Sequence, residues 1–84
     1  MSPLPDDAIK IYFDVTSQSI VLNGILQYHP LTFELIDIQG KIVLKKMIVD
    51  SNSINASNIP NGVYFYRLLQ NGHAIDSGKL LKFR

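Results

Sequence analysis

The chain has no cysteine and no tryptophan, and only 18% of its 84 residues are charged. Without cysteine it forms neither a disulfide framework nor a thiolate metal site, although a cysteine-free domain folds equally well inside or outside the cell. The net charge of +1 supplies no general field that would attract a polyanion. We therefore expect no nucleic-acid partner, and the compartment has to be inferred from other features.

The sequence also lacks a long hydrophobic run. No apolar stretch approaches the ~18–20 residues that span a bilayer, and residues 1–7 have neither the basic nor the apolar region of a signal peptide. We expect no membrane insertion. We interpret residues 1–84 as a single domain with an extended lead-in over residues 1–7, as a fragment of a longer secreted protein whose export signal lies elsewhere.

The residues that are present predict strands, since no apolar stripe has helical spacing. Residues 8–16 alternate, which places Ile9, Ile11, Phe13 and Val15 on one face. Further strands are predicted at residues 19–22, 31–38, 42–49, 63–70 and 74–83, with a return strand starting over 25–28 and weakly paired structure over 50–58. The inner face of the strand over 31–38 is ambiguous, and both lysines at 45 and 46 are expected on an exposed side.

Three short segments have the composition of hairpin turns: Asn23-Gly24, Asp37-Ile38-Gln39-Gly40 and Asn71-Gly72. Such turns separate about seven short strands. This pattern predicts an all-β protein, an Ig-like antiparallel β-sandwich.

Four motifs occur in a fixed order along the chain. They are Pro3-Leu4-Pro5 before an alternating strand, the Asp37–Gly40 turn between strands, Asn58-Ile59-Pro60-Asn61-Gly62-Val63-Tyr64, and Gly78-Lys79-Leu80-Leu81-Lys82 near the end. In this order they resemble the type A C-terminal sorting domains of the type IX (Por) secretion system. The sequence departs from the family pattern at Leu4, where the family prefers Asn, and at Ile59, where it prefers Leu.

The resemblance implies a secretion signal. A domain of this family directs its parent protein, an enzyme or adhesin on its N-terminal side, from the periplasm across the outer membrane through the type IX translocon. A sortase-like peptidase then usually removes the domain, and the parent is attached to the outer-membrane surface or released outside the cell. The domain is a substrate of this machinery and not an enzyme.

The resemblance also places recognition at two segments near the C-terminus. The predicted recognition residues are Pro60, Gly62, Tyr64, Gly78, Lys79, Lys82 and Arg84. A structural alternative exists for each segment. In the first, the glycine gives the backbone freedom that the turn requires and the tyrosine packs in the sheet; in the second, the cations lie on a solvated strand edge, where they discourage aggregation.

Other chemistry has weak support in the sequence. The two histidines, His29 and His73, are far apart and Asp6-Asp7 is isolated, so we expect no metal site and no cofactor. Neither a G-x-S-x-G elbow nor a cysteine nucleophile is present, and Ser77 and Asp76, as strand neighbours, point to opposite faces. Catalysis is therefore not expected.

An alternative function is an adhesin-like or carbohydrate-binding β-sandwich of a surface protein. Residues 64–66 read Tyr-Phe-Tyr and could form a sugar-stacking platform. Such rings more often pack against residues of neighbouring strands, and the absence of tryptophan is a further argument against carbohydrate binding. A purely structural spacer domain is a third, weaker interpretation.

Overall fold

The computed structural model describes residues 9–24, 30–49 and 52–83, and in these ranges it contains strands and turns and no helix. The seven strands are β1 Lys10–Asp14, β2 Ser19–Asn23, β3 Leu31–Ile36, β4 Ile42–Ile48, β5 Ser53–Asn55, β6 Gly62–Gln70 and β7 His73–Lys82. The prediction of an all-β protein of about seven short strands is confirmed. The lead-in over residues 1–7 lies outside the described residues.

The strands form two antiparallel sheets. One has the order β1-β2-β5 and the other the order β4-β3-β6-β7. The first, second and fifth strands thus face the third, sixth and seventh, as in Ig-like sandwiches, and β4 extends the second sheet. The core between the sheets consists of Ile20, Leu22, Leu31, Phe33, Leu35, Ile48, Ile54, Ala56, Tyr64, Leu68 and Leu80.

The inner faces follow from the period of two along each strand. Residues 9, 11 and 13 pack against the core, which confirms that face of β1. Val15 is 44% exposed, so its assignment to the same face is wrong. The reason is that β1 ends at Asp14 and the chain then enters a turn.

The ambiguous face of β3 is settled by burial. Its apolar members Leu31, Phe33 and Leu35 are inner, and Thr32 and Ile36 alternate with them on the outer face. Both lysines at positions 45 and 46 of β4 are exposed, as predicted.

Two of the predicted hairpin turns are confirmed. Between β3 and β4, the Asp37 carboxylate accepts hydrogen bonds from the backbone N–H groups of Gln39 and Lys41, both at 2.9 Å. Gly40 adopts a φ of +86° there, a left-handed conformation that favours glycine. Between β6 and β7, Asn71 and Gly72 both have positive φ, 53° and 82°, as a type I′ turn requires.

The hairpin predicted at Asn23-Gly24 needs correction. The strand over residues 31–38 was expected to return from Asn23-Gly24 against residues 19–22, but β2 and β3 lie in different sheets. The partners of β2 in the described residues are β1 and β5. The first hairpin turns earlier, where the Asp14 carboxylate accepts hydrogen bonds from the Thr16 backbone N–H and the Ser17 hydroxyl. The predicted return over residues 25–28 lies outside the described residues.

Candidate functional site

Three of the four sequence motifs meet at one end of the four-stranded sheet. The 37–40 turn continues β3, residues 58–61 lead into β6, and the end of β7 pairs with the start of β6 through Gly62 and Lys82. A hollow of about 250 Å³ is lined by Asp37 and Ile38 from the turn and by residues 61–64. Segments far apart in sequence thus form one surface.

Tyr64 fixes the path of the chain before β6. Its side chain is buried at 6% exposure, and its hydroxyl donates a hydrogen bond to the Pro60 carbonyl oxygen four residues upstream. This arrangement is a tyrosine corner, which Ig-like sandwiches use at this same position. Burial, with a smaller effect from the Asp37 carboxylate, raises the pKa of Tyr64. The side chain packs inside the sandwich, while Pro60 and Gly62 are exposed at its corner.

Lys82 is an internal residue. It is 5% exposed, its ammonium donates a hydrogen bond to the Ile59 carbonyl oxygen, and its Nζ lies 5.5 Å from the centre of the Phe13 ring. These contacts connect the end of β7 to the corner before β6 and to β1 in the other sheet. The solvated-edge alternative is therefore wrong for Lys82, because this position of β7 faces inward, two residues beyond the buried Leu80.

Gly78 also belongs to the inner side of β7, where it faces Tyr66. A Cβ added at Gly78 would lie 2.8 Å from the Tyr66 hydroxyl oxygen, closer than real Cβ contacts come. That hydroxyl is held in place by a 3.2 Å hydrogen bond to Asp76. Burial, and after it the charge and hydrogen bond of Asp76, raise the pKa of Tyr66. The glycine is required here because the phenol occupies its side-chain space.

Lys79 lies on the opposite face of the same strand. It is exposed, it pairs with Phe65 across β6 and β7, and no described residue forms an ion pair with it. Of the other predicted cation, Arg84, nothing is described. The strand thus divides its two predicted lysines between the outside and the inside of the sandwich.

A charged cluster lies beside Lys79 on the outer face. Glu34 is 5% exposed although it points outward, because Arg67 covers it with hydrogen bonds from Nε, at 2.9 Å, and from a terminal nitrogen. Lys45 approaches the second carboxylate oxygen at 3.8 Å. Sequence reasoning missed this cluster, since its members lie on three different strands. It also missed Phe13, Ile59 and Tyr66 as inner partners of β7, since each of them is far in sequence from the β7 residue that it contacts.

The aromatic platform of the carbohydrate-binding alternative does not form. Tyr64 is buried and Tyr66 stacks on Phe33 at a centroid distance of 6.3 Å, so only Phe65 of the three rings points outward. No observation favours this alternative.

Residues 9–24, 30–49 and 52–83 contain no group of three or more acidic, histidine or cysteine side chains that could hold a metal ion. Within the same ranges there is no helix of the length and apolarity needed to cross a membrane.

Comparison with known proteins identifies one family. The model of the secretion system C-terminal sorting domain matches residues 6–82, which is nearly the whole chain. No curated protein matches the sequence. The matched range includes the corner at residues 58–64 and all seven strands.

Proposed function

Because the chain belongs to the family of secretion system C-terminal sorting domains and is a sorting signal for type IX secretion, we propose that the secretion machinery recognises it as a folded body. The family consists of signals and is not a catalytic family. A sorting signal of this kind directs export to the cell surface or to the extracellular space.

We assign direct contact with the machinery to the exposed members of the predicted recognition set. These are Pro60 and Gly62 at the corner and Lys79 on β7. We propose the same role for Arg84, which lies outside the described residues, because of its charge. The remaining members, Tyr64, Gly78 and Lys82, hold the corner and the strand in position from inside. Each of the three has an inner partner, which supports this division.

One observation carries the proposal. The Lys82 ammonium binds the Ile59 carbonyl oxygen, so the last strand and the corner form a single unit. Lys79, three residues away on the same strand, faces outward with its charge unpaired in the described residues. A machinery that binds the folded unit would meet Lys79 and would not meet Lys82.

We also propose a route for the signal and what happens to it after export. We expect the domain to follow an enzyme or adhesin, to be carried with it through the periplasm, and to bring it to the outer-membrane translocon. A sortase-like peptidase then removes the domain, and the parent is attached to the surface or released.

The test is an export assay with a reporter that carries a periplasmic signal peptide, fused to residues 3–84 in a host with type IX secretion. Deletion of residues 78–84 is a poor variant, because it also removes Leu80 and Lys82 from the interior. The charge reversal Lys79→Glu is better, with Lys46→Glu as the matched control. Lys46 is also an exposed strand lysine without an ion pair in the described residues.

We expect the unmodified fusion and the Lys46→Glu fusion to be delivered to the surface. Delivery of the Lys79→Glu fusion should be reduced although its melting temperature is unchanged. Retention of the unmodified fusion in the periplasm would refute the sorting role for this chain. Equal delivery of the two charge-reversed fusions would refute only the proposed contact at Lys79 and would leave the sorting role unaffected.

A further inference from the structure

The outer face of the four-stranded sheet carries an apolar row that no described residue covers. Ile42, Ile36, Phe65 and Lys79 are consecutive cross-strand partners on β4, β3, β6 and β7. Phe65 is 45% exposed and Ile42 is 46% exposed. Opposed residues of neighbouring strands have their side chains on the same face, so the row crosses the whole sheet and ends at the Lys79 ammonium.

A second, polar row runs beside the first. Its members are Lys45, Glu34, Arg67 and Ser77, again consecutive partners across the four strands. Between the two rows lies a hollow of about 380 Å³, lined by Ile36, Phe65 and Lys79 from the first row and by Arg67 and Ser77 from the second. A solvent-facing sheet surface of an isolated domain is normally polar, and a contiguous apolar row next to a hollow indicates an interaction site.

The charges around the hollow indicate which kind of partner could bind there. This part of the outer face carries three cations, Lys45, Arg67 and Lys79, and one carboxylate, that of Glu34, so the four side chains sum to a charge of +2. Arg67 is already committed to Glu34 by two hydrogen bonds. Lys79 therefore remains to bind an anionic group from outside, beside the exposed Phe65 ring.

We propose that this face docks an acidic protein segment of the secretion machinery, one that inserts an apolar side chain between Ile36 and Phe65 and places a carboxylate against Lys79. The inference rests on the proposed function, because it names the chemistry of the partner that recognises the signal. A protein segment suits the site better than a lipid surface, since a segment can place an apolar side chain inside the hollow and a carboxylate at its rim, whereas a flat bilayer does not enter a concave surface.

Photo-cross-linking tests the proposal. The light-activated residue benzoylphenylalanine replaces Phe65 in the reporter fusion, and in a control fusion it replaces Tyr12 on β1. The two sites are matched: both are strand aromatics on outer faces, and Tyr12 is 48% exposed against 45% for Phe65. Irradiation in the exporting host, followed by mass spectrometry of the adducts, identifies what each face contacts.

The expected result is a cross-link from position 65, and not from position 12, to a type IX secretion component through a peptide that contains aspartate or glutamate. In the Lys79→Glu background the yield at position 65 should fall about tenfold, the equivalent of 1.4 kcal/mol. Cross-links to lipopolysaccharide, to a second copy or to the reporter would overturn the proposal, as would equal yields at both positions.

The unmodified fusion separates this inference from the proposed function. If that fusion is not delivered to the surface, the sorting role fails. If it is delivered, and Phe65→Glu is delivered equally at an unchanged melting temperature, only the docking face is refuted. Tyr12→Glu serves again as the control for a charge added to an exposed strand aromatic.

Discussion

The inner and outer faces of the four-stranded sheet use similar residues for different purposes. Phe33 on β3 and Phe65 on β6 are both strand phenylalanines, yet the first is fully buried and the second is 45% exposed. Lys82 and Lys79 on β7 repeat the contrast, one inside and one outside. Residue type alone therefore does not separate what holds this fold from what is available to a partner; the position along the strand does.

The sequence motifs have two different roles. Seen from inside, Tyr64, Gly78 and Lys82 are packing residues whose partners are the Pro60 carbonyl, the Tyr66 ring and the Ile59 carbonyl. Seen from outside, Lys79 and its neighbours form the surface for which we propose recognition. A motif of a sorting signal can therefore be required for export because it maintains the fold, without any contact to the machinery.

The largest expected effect contrasts the two phenylalanines. Phe33→Ala removes a buried ring that stacks on Tyr66, and it should lower the free energy of unfolding by about 3–5 kcal/mol. Phe65→Ala loses only a half-exposed ring, so its cost should stay within about 1 kcal/mol. Urea unfolding of both variants measures the difference; equal losses would contradict the assignment of the two faces.

A smaller effect is expected when a methyl group is added on the inner face of β7. Gly78→Ala places a Cβ against the Tyr66 ring, which then has to move away from Phe33 and Asp76. Overpacking of this kind costs about 1–3 kcal/mol. Ser77→Ala, one residue away on the outer face, is the control and should leave the melting temperature nearly unchanged. A Gly78→Ala protein as stable as the control would show that the phenol does not occupy this space.

The smallest effect concerns pH. The pKa values of Tyr64 and Tyr66 are raised in the fold, so the folded protein keeps phenolic protons that the unfolded chain loses. The resulting stability is fully present below the ordinary tyrosine pKa of about 10 and is lost as pH rises through the higher folded values. Tyr66→Phe should reduce the fall in the urea midpoint between pH 8 and about pH 11. An unchanged fall would exclude Tyr66 as a contributor.

Much of the fold follows from local sequence signals. The alternation of apolar and polar residues located most strands. The turns at 37–40 and 71–72 were identifiable because aspartate, asparagine and glycine have specific conformational roles there. The first hairpin was missed because its turn has no glycine and depends on the Asp14 carboxylate. The Asn23-Gly24 dipeptide was misleading because the next described strand, β3, belongs to the other sheet.

The candidate site was less accessible to prediction. The motifs at 58–64 and 78–82 were recognised, and the sequence order indicated that both lie near the end of the chain. Which side chains point inward depends on the register of β7 against β6, including the irregularity between Leu68 and Leu69. The Glu34 and Arg67 pair connects residues 33 positions apart, and no local pattern announces such a contact.

The most direct measurement is the rate of lysine acetylation in the folded 84-residue chain, followed residue by residue by mass spectrometry. Our account predicts that Lys79 reacts as fast as the exposed Lys46, and that Lys82 reacts at least about tenfold more slowly until denaturant unfolds the domain. Equal rates for Lys79 and Lys82 under native conditions would contradict the division of the last strand between the fold and its docking surface.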